Sequence, residues 1–407
     1  MKRMLAHPAW GLVLLALGCD STAPRTGVKC TEARFEGSVY SLMPPRPLWV
    51  DAESFHVVHP DSQLGIVHRT LSRQTGREQS LVDYRKVLEE ERGSEYAQIG
   101  MDGVAAGPDG TLAVAFGYKD KEYVRQDRML LSRGAGSRLW TPPWKVPSPV
   151  WGLGWDGEDF TASLLDFDAR WGWARFSVEG EMLSQVEVVG QAEVLWGEYD
   201  SETDKQTGTT VFVGASSLGI YMVGRKGRET SLTAPADYWR VSASDGGPGT
   251  FGSKPAVALG GDTALVAWVS GGLAMREVAL GSGRTSALYH LDLDPANNPI
   301  KRTAAARAGD RWVVVTQDEL GLLLVELQGG EMRSRRLLRH APPPCASCPS
   351  SDLRFTTTEL SVVADGDEAW AGLVDGTVQG ADRGVLYPTY RILPLRDGCE
   401  YKSLASE

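Results

Sequence analysis

Cysteine is the residue type in this 407-residue sequence with the most chemistry to offer, and it occurs five times, at Cys19, Cys30, Cys345, Cys348 and Cys399. Cys345 and Cys348 form a CxxC pair inside the Pro-rich run APPPCASCPS, a spacing that suits a redox dithiol, half of a zinc site or a short disulfide. No second CxxC and no nearby His completes a zinc set, no thioredoxin-like strand and helix surrounds the pair, and no His follows it for haem attachment. A structural disulfide between Cys345 and Cys348 is therefore expected. With Cys19 set aside, four cysteines allow three connectivities. Cys30 and Cys399, near the two ends of the folded part, make the expected second bridge.

Other constellations are weaker. Asp166 with Asp168 and Asp292 with Asp294 each put two carboxylates on one side of an extended chain, as Ca²⁺ binding or acid and base work requires. Yet DLDPANN (292–298) lacks the Gly and distal Glu of an EF-hand loop, so solvated turns are expected. GxGxxG occurs at 152–157 and 247–252, but neither copy lies between a strand and a helix, so no helix N-terminus is there to receive a pyrophosphate. GIYMVGRK (219–226) has Arg225 where a P-loop needs Lys, and GxSxG and HExxH do not occur. His56 and His59, three apart on a strand, point to opposite faces and read as ordinary surface or core residues. No catalytic residue, metal ligand set or cofactor is assigned.

Aromatic residues offer the best candidate contact. Seven of the 13 Trp fall between Trp140 and Trp196, and Trp140 and Trp144 belong to the Pro-braced run WTPPWKVPSPVW (140–151). Such a loop can stack on sugar rings or anchor a protein partner. Trp155, Trp171, Trp173 and Trp196 are expected to pack inside the fold.

The first 18 residues carry Lys2 and Arg3, then an apolar stretch from Trp10 to Leu17, too short to cross about 30 Å of hydrocarbon as a helix. This has the layout of a secretory leader. Its end, Leu17, Gly18, Cys19, resembles the lipobox of bacterial lipoproteins, with Ala16 at the position where that family usually has Leu. The resemblance covers residues 1–19. It implies cleavage after Gly18, a diacylated Cys19 as the new N-terminus, and attachment of residues 19–33 to a membrane as a lipidated polar tether. Loss of Lys2 and Arg3 would leave 40 basic against 52 acidic side chains, so the net charge of −10 becomes −12. An acidic chain without a Lys or Arg block has no footprint for nucleic acid.

These residues must be positioned by a repeat. A turn of Gly and Asp followed by small and apolar residues recurs as GPDGTLAVAF (107–116), GWDGEDFTASL (154–164), GGDTALVAW (260–268), AGDRWVVV (308–315) and ADGDEAWAGL (364–373). Weaker copies begin at Asp51 (DAESFHVV) and Thr207 (TGTTVFVGA). About 20 residues after most of them comes a second strand and tight turn: ARFSVEGEM (174–182), YMVGRKGRE (221–229), AMREVALGSGR (274–284) and LLLVELQGGEM (322–332). Each unit has room for four short strands. Runs that are apolar on consecutive residues, such as Trp312 to Val315, demand cover on both faces.

The pattern looks like a β-propeller over residues 34–399, with a C-terminal tail at 400–407. Seven markers predict seven blades of four antiparallel strands; six or eight blades, or tandem β-sandwiches, also satisfy the pattern. Closure is expected where Arg34 to Leu42 pairs beside Leu386 to Leu395, flanked by Cys30 and Cys399. The segment 80–92 (SLVDYRKVLEEER) reads as a short helix or an outer strand. The functional expectation is an exported, lipid-anchored, monomeric propeller at the cell envelope, on the periplasmic face or the cell surface, that binds an envelope protein or glycan without catalysis. A propeller hydrolase or lyase of glycans or peptidoglycan fragments is the alternative.

Overall fold

The structure, a computed structural model, describes residues 30–402 except 37–47, 61–64, 93–97, 108–109, 120–124, 134–135, 141–149, 166–170, 189–198, 217–218, 226–236, 244–254, 294–299, 301, 319, 340–353 and 379–388. The first strand, β1 (Ala33–Glu36), belongs to the last blade. The first blade is β2 (Leu48–Val50), β3 (Ser54–Pro60), β4 (Ile66–Ser72) and β5 (Glu78–Asp83), followed by α1 (Arg85–Arg92). The second is β6 (Gln98–Ala106), β7 (Leu112–Lys119), β8 (Arg125–Arg133) and β9 (Gly136–Trp140). The third is β10 (Val150–Trp155), β11 (Phe160–Leu165), β12 (Trp171–Phe176) and β13 (Met182–Val188). In the fourth are β14 (Tyr199–Thr203), β15 (Thr210–Ser216), β16 (Gly219–Arg225) and β17 (Asp237–Ala243), and in the fifth β18 (Ala256–Gly260), β19 (Thr263–Val269), β20 (Gly272–Ala279) and β21 (Tyr289–Asp292). The sixth holds β22 (Arg302–Ala308), β23 (Arg311–Asp318), β24 (Gly321–Gln328) and β25 (Glu331–Arg339); the seventh holds β26 (Arg354–Asp365), β27 (Glu368–Val378) and β28 (Thr389–Pro394). A last strand, β29 (Tyr401–Lys402), runs parallel beside β25. This is a seven-bladed β-propeller. Within each blade the strands pair antiparallel, and the first strands of successive blades lie side by side around the axis.

All seven Gly and Asp markers become the hairpin between the first and second strand of a blade. Asp51, Asp156 and Asp204 occupy the same place in three blades, just after the first strand. Oδ1 of Asp51 accepts the amides of Glu53 and Ser54 at 2.9 and 2.7 Å, and Oδ1 of Asp156 those of Glu158 and Asp159 at 2.9 and 2.8 Å. Asp204 does the same for Gln206 and Thr207. The short carboxylate thus replaces a backbone acceptor and fixes the turn. Gly157, at φ 98°, supplies the left-handed residue of the third-blade turn.

Second strands are covered on both sides, as the continuous apolar runs require: Trp312 through Asp318 are all buried. Their side chains alternate between seams. Val313 and Val315 meet Ala369, Ala371 and Leu373 of the seventh blade, whereas Trp312 and Val314 meet Leu265 and Met275 of the fifth. The helix and outer-strand readings of residues 80–92 both hold in part, since β5 ends at Asp83 and α1 starts at Arg85. Leu88 of α1 is buried among Val104, Leu112 and Leu130 of the second blade.

Closure follows the expected path. β1 pairs antiparallel with β28 in the register Ala33↔Ile392 to Glu36↔Thr389, making it the outermost strand of the seventh blade. Cys30 and Cys399 form a disulfide across a sequence separation of 369, with Cα atoms 5.5 Å apart. Arg391, buried in β28, donates to Glu32 at 2.5 Å, and Phe35 stacks between Tyr390 at 5.1 Å and His59 of the first blade at 5.5 Å. The fold continues past 399: Tyr401 Oη donates to the carbonyl of Pro394 at 2.9 Å.

Candidate functional site

Of the residues singled out in the sequence, Cys19, Trp144, Cys345, Cys348, Asp166, Asp168 and Asp294 lie outside the described residues, as does the GxGxxG copy at 247–252. Trp140 ends β9. It is half-buried, tilted against Phe176 of the third blade at a centroid distance of 5.0 Å. Its ring packs at the same seam as Trp155 and Met182. Trp155 is likewise half-buried against Phe160, and Trp173 is almost wholly buried. Asp292 closes β21 at the surface with its carboxylate 3.0 Å from His290 Nδ1.

The remaining glycine motif has a packing role. A Cβ built on Gly152 would lie 1.7 Å from Ser201 Oγ, and one on Gly154 would lie 2.1 Å from Thr203 Oγ1. These glycines let β10 and β14 approach at the axis, and they hold no phosphate-binding turn.

A row of chemically capable side chains among the described residues sits in the first blade. Its turn and strand pairing place Asp51, His56 and His68 in a line: His56 Nε2 is 2.8 Å from Asp51 Oδ2, and His56 Nδ1 is 3.1 Å from His68 Nε2. The hydrogen-bond pattern assigns the neutral tautomers. His56 donates to the carboxylate from Nε2 and accepts from His68 at Nδ1. Trp49 covers both rings, stacked on His56 at 4.9 Å with an interplanar angle of 5° and tilted to His68 at 5.1 Å. Burial, together with the neighbouring His56, lowers the pKa of His68 to about 4. Burial alone would raise the Asp51 carboxyl, but hydrogen bonds from His56 and from the amides of Glu53 and Ser54 hold it below its usual value.

His59 points to the other face, as the spacing predicts, and accepts from Arg69 Nε at 3.0 Å beneath Phe35. Sequence reasoning did not join Asp51 and His68 to His56. The link depends on β3 and β4 pairing with Val58 opposite His68, a register that no local motif records. Among the described residues no three His, Cys, Asp or Glu side chains converge as a metal site.

A second acidic element lies on the axis-lining strand β14. Asp200 Oδ2 accepts the amide of Val257 at 3.0 Å, and Glu202 Oε2 accepts that of Leu259 at 3.2 Å. These carboxylates satisfy amides on the first strand of the next blade. Although part of the Glu202 residue reaches solvent, its carboxyl group is enclosed, and burial followed by repulsion from Asp200 raises its pKa well above the usual value.

No protein-family model matches the chain, and no curated protein matches it. Among solved structures, a prolyl endopeptidase aligns with a TM-score of 0.51 and 10% identity over 86% of this chain and 50% of that one. The chain thus spans about half the length of that enzyme. The β-propeller domain of Cps50 (Swd1) from Myceliophteria thermophila aligns at TM-score 0.46 and 12% identity, covering 89% of this chain and 100% of that one. BamB from Moraxella catarrhalis aligns at 0.41 and 12%, covering 91% and 100%. At these identities the likeness concerns the fold alone.

Proposed function

We propose that the protein is an exported lipoprotein whose propeller serves as a non-catalytic binding scaffold at the cell envelope. The observation that carries this reading is the Cys30–Cys399 disulfide, because a bond of this kind persists in oxidising compartments and this one lies 11 residues beyond Cys19. A tether of that length reaches at most about 35–40 Å when extended. The ring would then sit close to the membrane that holds the acyl chains, which contribute about 0.8 kcal/mol per buried CH₂.

The scaffold reading draws on how the described charges are used. Arg175 is paired with Asp156 and Asp159, Arg336 with Asp318, and Arg73 with Asp365 and Glu368 across the seam between the seventh and first blades. All of them hold turns or seams together. The partner chemistry is an envelope protein or glycan, with Trp144 as a proposed contact residue. Cys19→Ser should move the protein from the membrane fraction to the soluble fraction after a high-salt wash; persistence with membranes would overturn the anchor.

One observation favours the hydrolase or lyase alternative: Glu202 is an enclosed carboxyl of raised pKa on an axis-lining strand, the state a general acid needs. Under that reading Glu202→Gln would abolish turnover of peptidoglycan fragments. Under the scaffold reading the parent protein turns over none.

A further inference from the structure

At the seam where the seventh blade meets the first, strand alternation turns Phe55 and Val57 of β3 and Leu71 of β4 toward the seventh blade, where they pack with Ala33, Trp370, Tyr390 and Ile392. His59 lies on this same face, two residues beyond Val57, and is only 7% exposed. Its Nε2 accepts a hydrogen bond from Arg69 Nε at 3.0 Å. A guanidinium keeps all its protons in proteins, so this contact makes Nε2 the lone-pair nitrogen of His59 and the ring neutral.

The same guanidinium fastens the seam. Arg69 lies over the ring of Phe35 at 4.8 Å and is ion-paired with Glu78. Phe35 belongs to β1, the closing strand, and stacks between His59 at 5.5 Å and Tyr390 at 5.1 Å. The ionisable groups gathered around His59 are thus Arg69 from β4, Glu78 from β5 and, behind Phe35, Tyr390 from β28. A proton on His59 Nε2 sets N–H against N–H and brings a second cation against the Arg69 guanidinium in a site with little water to screen it. The two side chains must then move apart, and Phe35 loses contacts that hold β1 against the first blade.

At its hairpin end the seam is held by a different chemistry. Arg73, just past β4, pairs with Asp365 and Glu368 of the seventh blade at 2.8 Å each and lies over Trp370 at 4.6 Å, and Arg396 reaches the same Glu368. Arginine and carboxylate both keep their charges through the range in which a free imidazole titrates. β1 stays on the seventh blade through its pairing with β28 and the Cys30–Cys399 disulfide. We propose that acid opens the seam between the seventh and first blades from the end that holds His59, with the Arg73 clasp as the hinge. The ring parts between β1 and the first blade, and every strand keeps its partner.

Val57 in this seam and Val314 in the seam between the fifth and sixth blades are both buried, so Val57→Cys and Val314→Cys form a matched pair of reporters. Each thiol is labelled with dithiodipyridine, which reacts in acid as well as at neutral pH, and the product is read by peptide mass. Circular dichroism verifies that both variants stay folded, and the ratio of the two rates removes the pH dependence of the reagent. A histidine that takes its proton only in the open form, at the free value of about 6.5, makes that form about 30-fold more populated at pH 5 than at pH 7.5. The ratio of Val57→Cys to Val314→Cys labelling should therefore rise at least about tenfold over that range and fall back on return to neutral pH, as for a local opening. An unchanged ratio would overturn the proposal. Because His56 and His68 lie on the opposite face of the same blade, two further variants assign the effect. His59→Gln keeps an acceptor for Arg69 with no charge to gain, and Arg69→Met removes the cation that opposes the proton. Either change, added to Val57→Cys, should hold the acid response below about threefold. A full response in either variant would put the trigger outside the His59 and Arg69 contact and overturn it as well.

Discussion

His56 Nδ1 meets His68 Nε2 at 3.1 Å, so that two imidazoles from adjacent strands share one proton while Asp51 fixes the tautomer of the first. A proton on both facing ring nitrogens would set N–H against N–H. The folded-state pKa of His68, about 4, lies below the 6.5 of a free imidazole. The unfolded chain therefore takes up its proton first as pH falls. His68 contributes its full stability above about pH 6.5, and that contribution declines until about pH 4, by about 3 kcal/mol in all. Chemical denaturation of the parent and of His68→Gln at pH 7, 5.5 and 4.5 checks this: the variant should show a flatter decline, and parallel declines would contradict it.

The ring closure predicts a large effect from a small change. Cys30→Ser or Cys399→Ser frees a loop of 369 residues, for which the loss of unfolded-state restraint is worth at most about 5 kcal/mol. The thermal midpoint of either variant should fall by several degrees. Cys345→Ser should have a smaller effect, because a bridge to Cys348 would close only a very short loop. Calorimetry of the three variants side by side makes the comparison.

Asp318 has no exposed side-chain surface and accepts from both terminal nitrogens of Arg336 at 2.6 and 2.8 Å. Asp318→Ala leaves a largely enclosed guanidinium without its partner and should cost about 3 kcal/mol. Replacing both residues, as Asp318→Leu with Arg336→Met, should cost less than the single change. A double-mutant cycle from urea titrations measures the difference.

Trp140 now has a packing role with a defined partner. Its contact with Phe176 predicts that Trp140→Ala costs about 2–3 kcal/mol, less than a fully buried Trp. A loss within about 0.5 kcal/mol would return Trp140 to the class of surface contacts.

Much of the fold was legible because its signals are local. The seven hairpins announce themselves through Asp51, Asp156, Gly261 and their equivalents, whose turn chemistry is written within three or four residues. Closure was legible from cysteine parity and the positions of Cys30 and Cys399. Trp140 was harder to place: its neighbours Pro142 and Pro143 suggest a loop, yet it is the last residue of a strand whose seam partner, Phe176, comes 36 positions later. Asp51, His56 and His68 depend on strand register. The burial of Thr161 and Ser163 was hidden because these residues, alternating with Phe160 and Ala162, look like the solvent face of a half-exposed strand. Only the neighbouring blade turns that face inward.

The central claim, a lipid-anchored and disulfide-closed ring outside the cytoplasm, is tested most directly by the mass of the N-terminal peptide of the mature protein, digested without reduction and recovered from the membrane fraction. The account predicts a chain beginning at Cys19 with a diacylglyceryl group on its sulfur, together with a cross-linked peptide pair containing Cys30 and Cys399. An unmodified peptide that retains residues before Cys19 would contradict it.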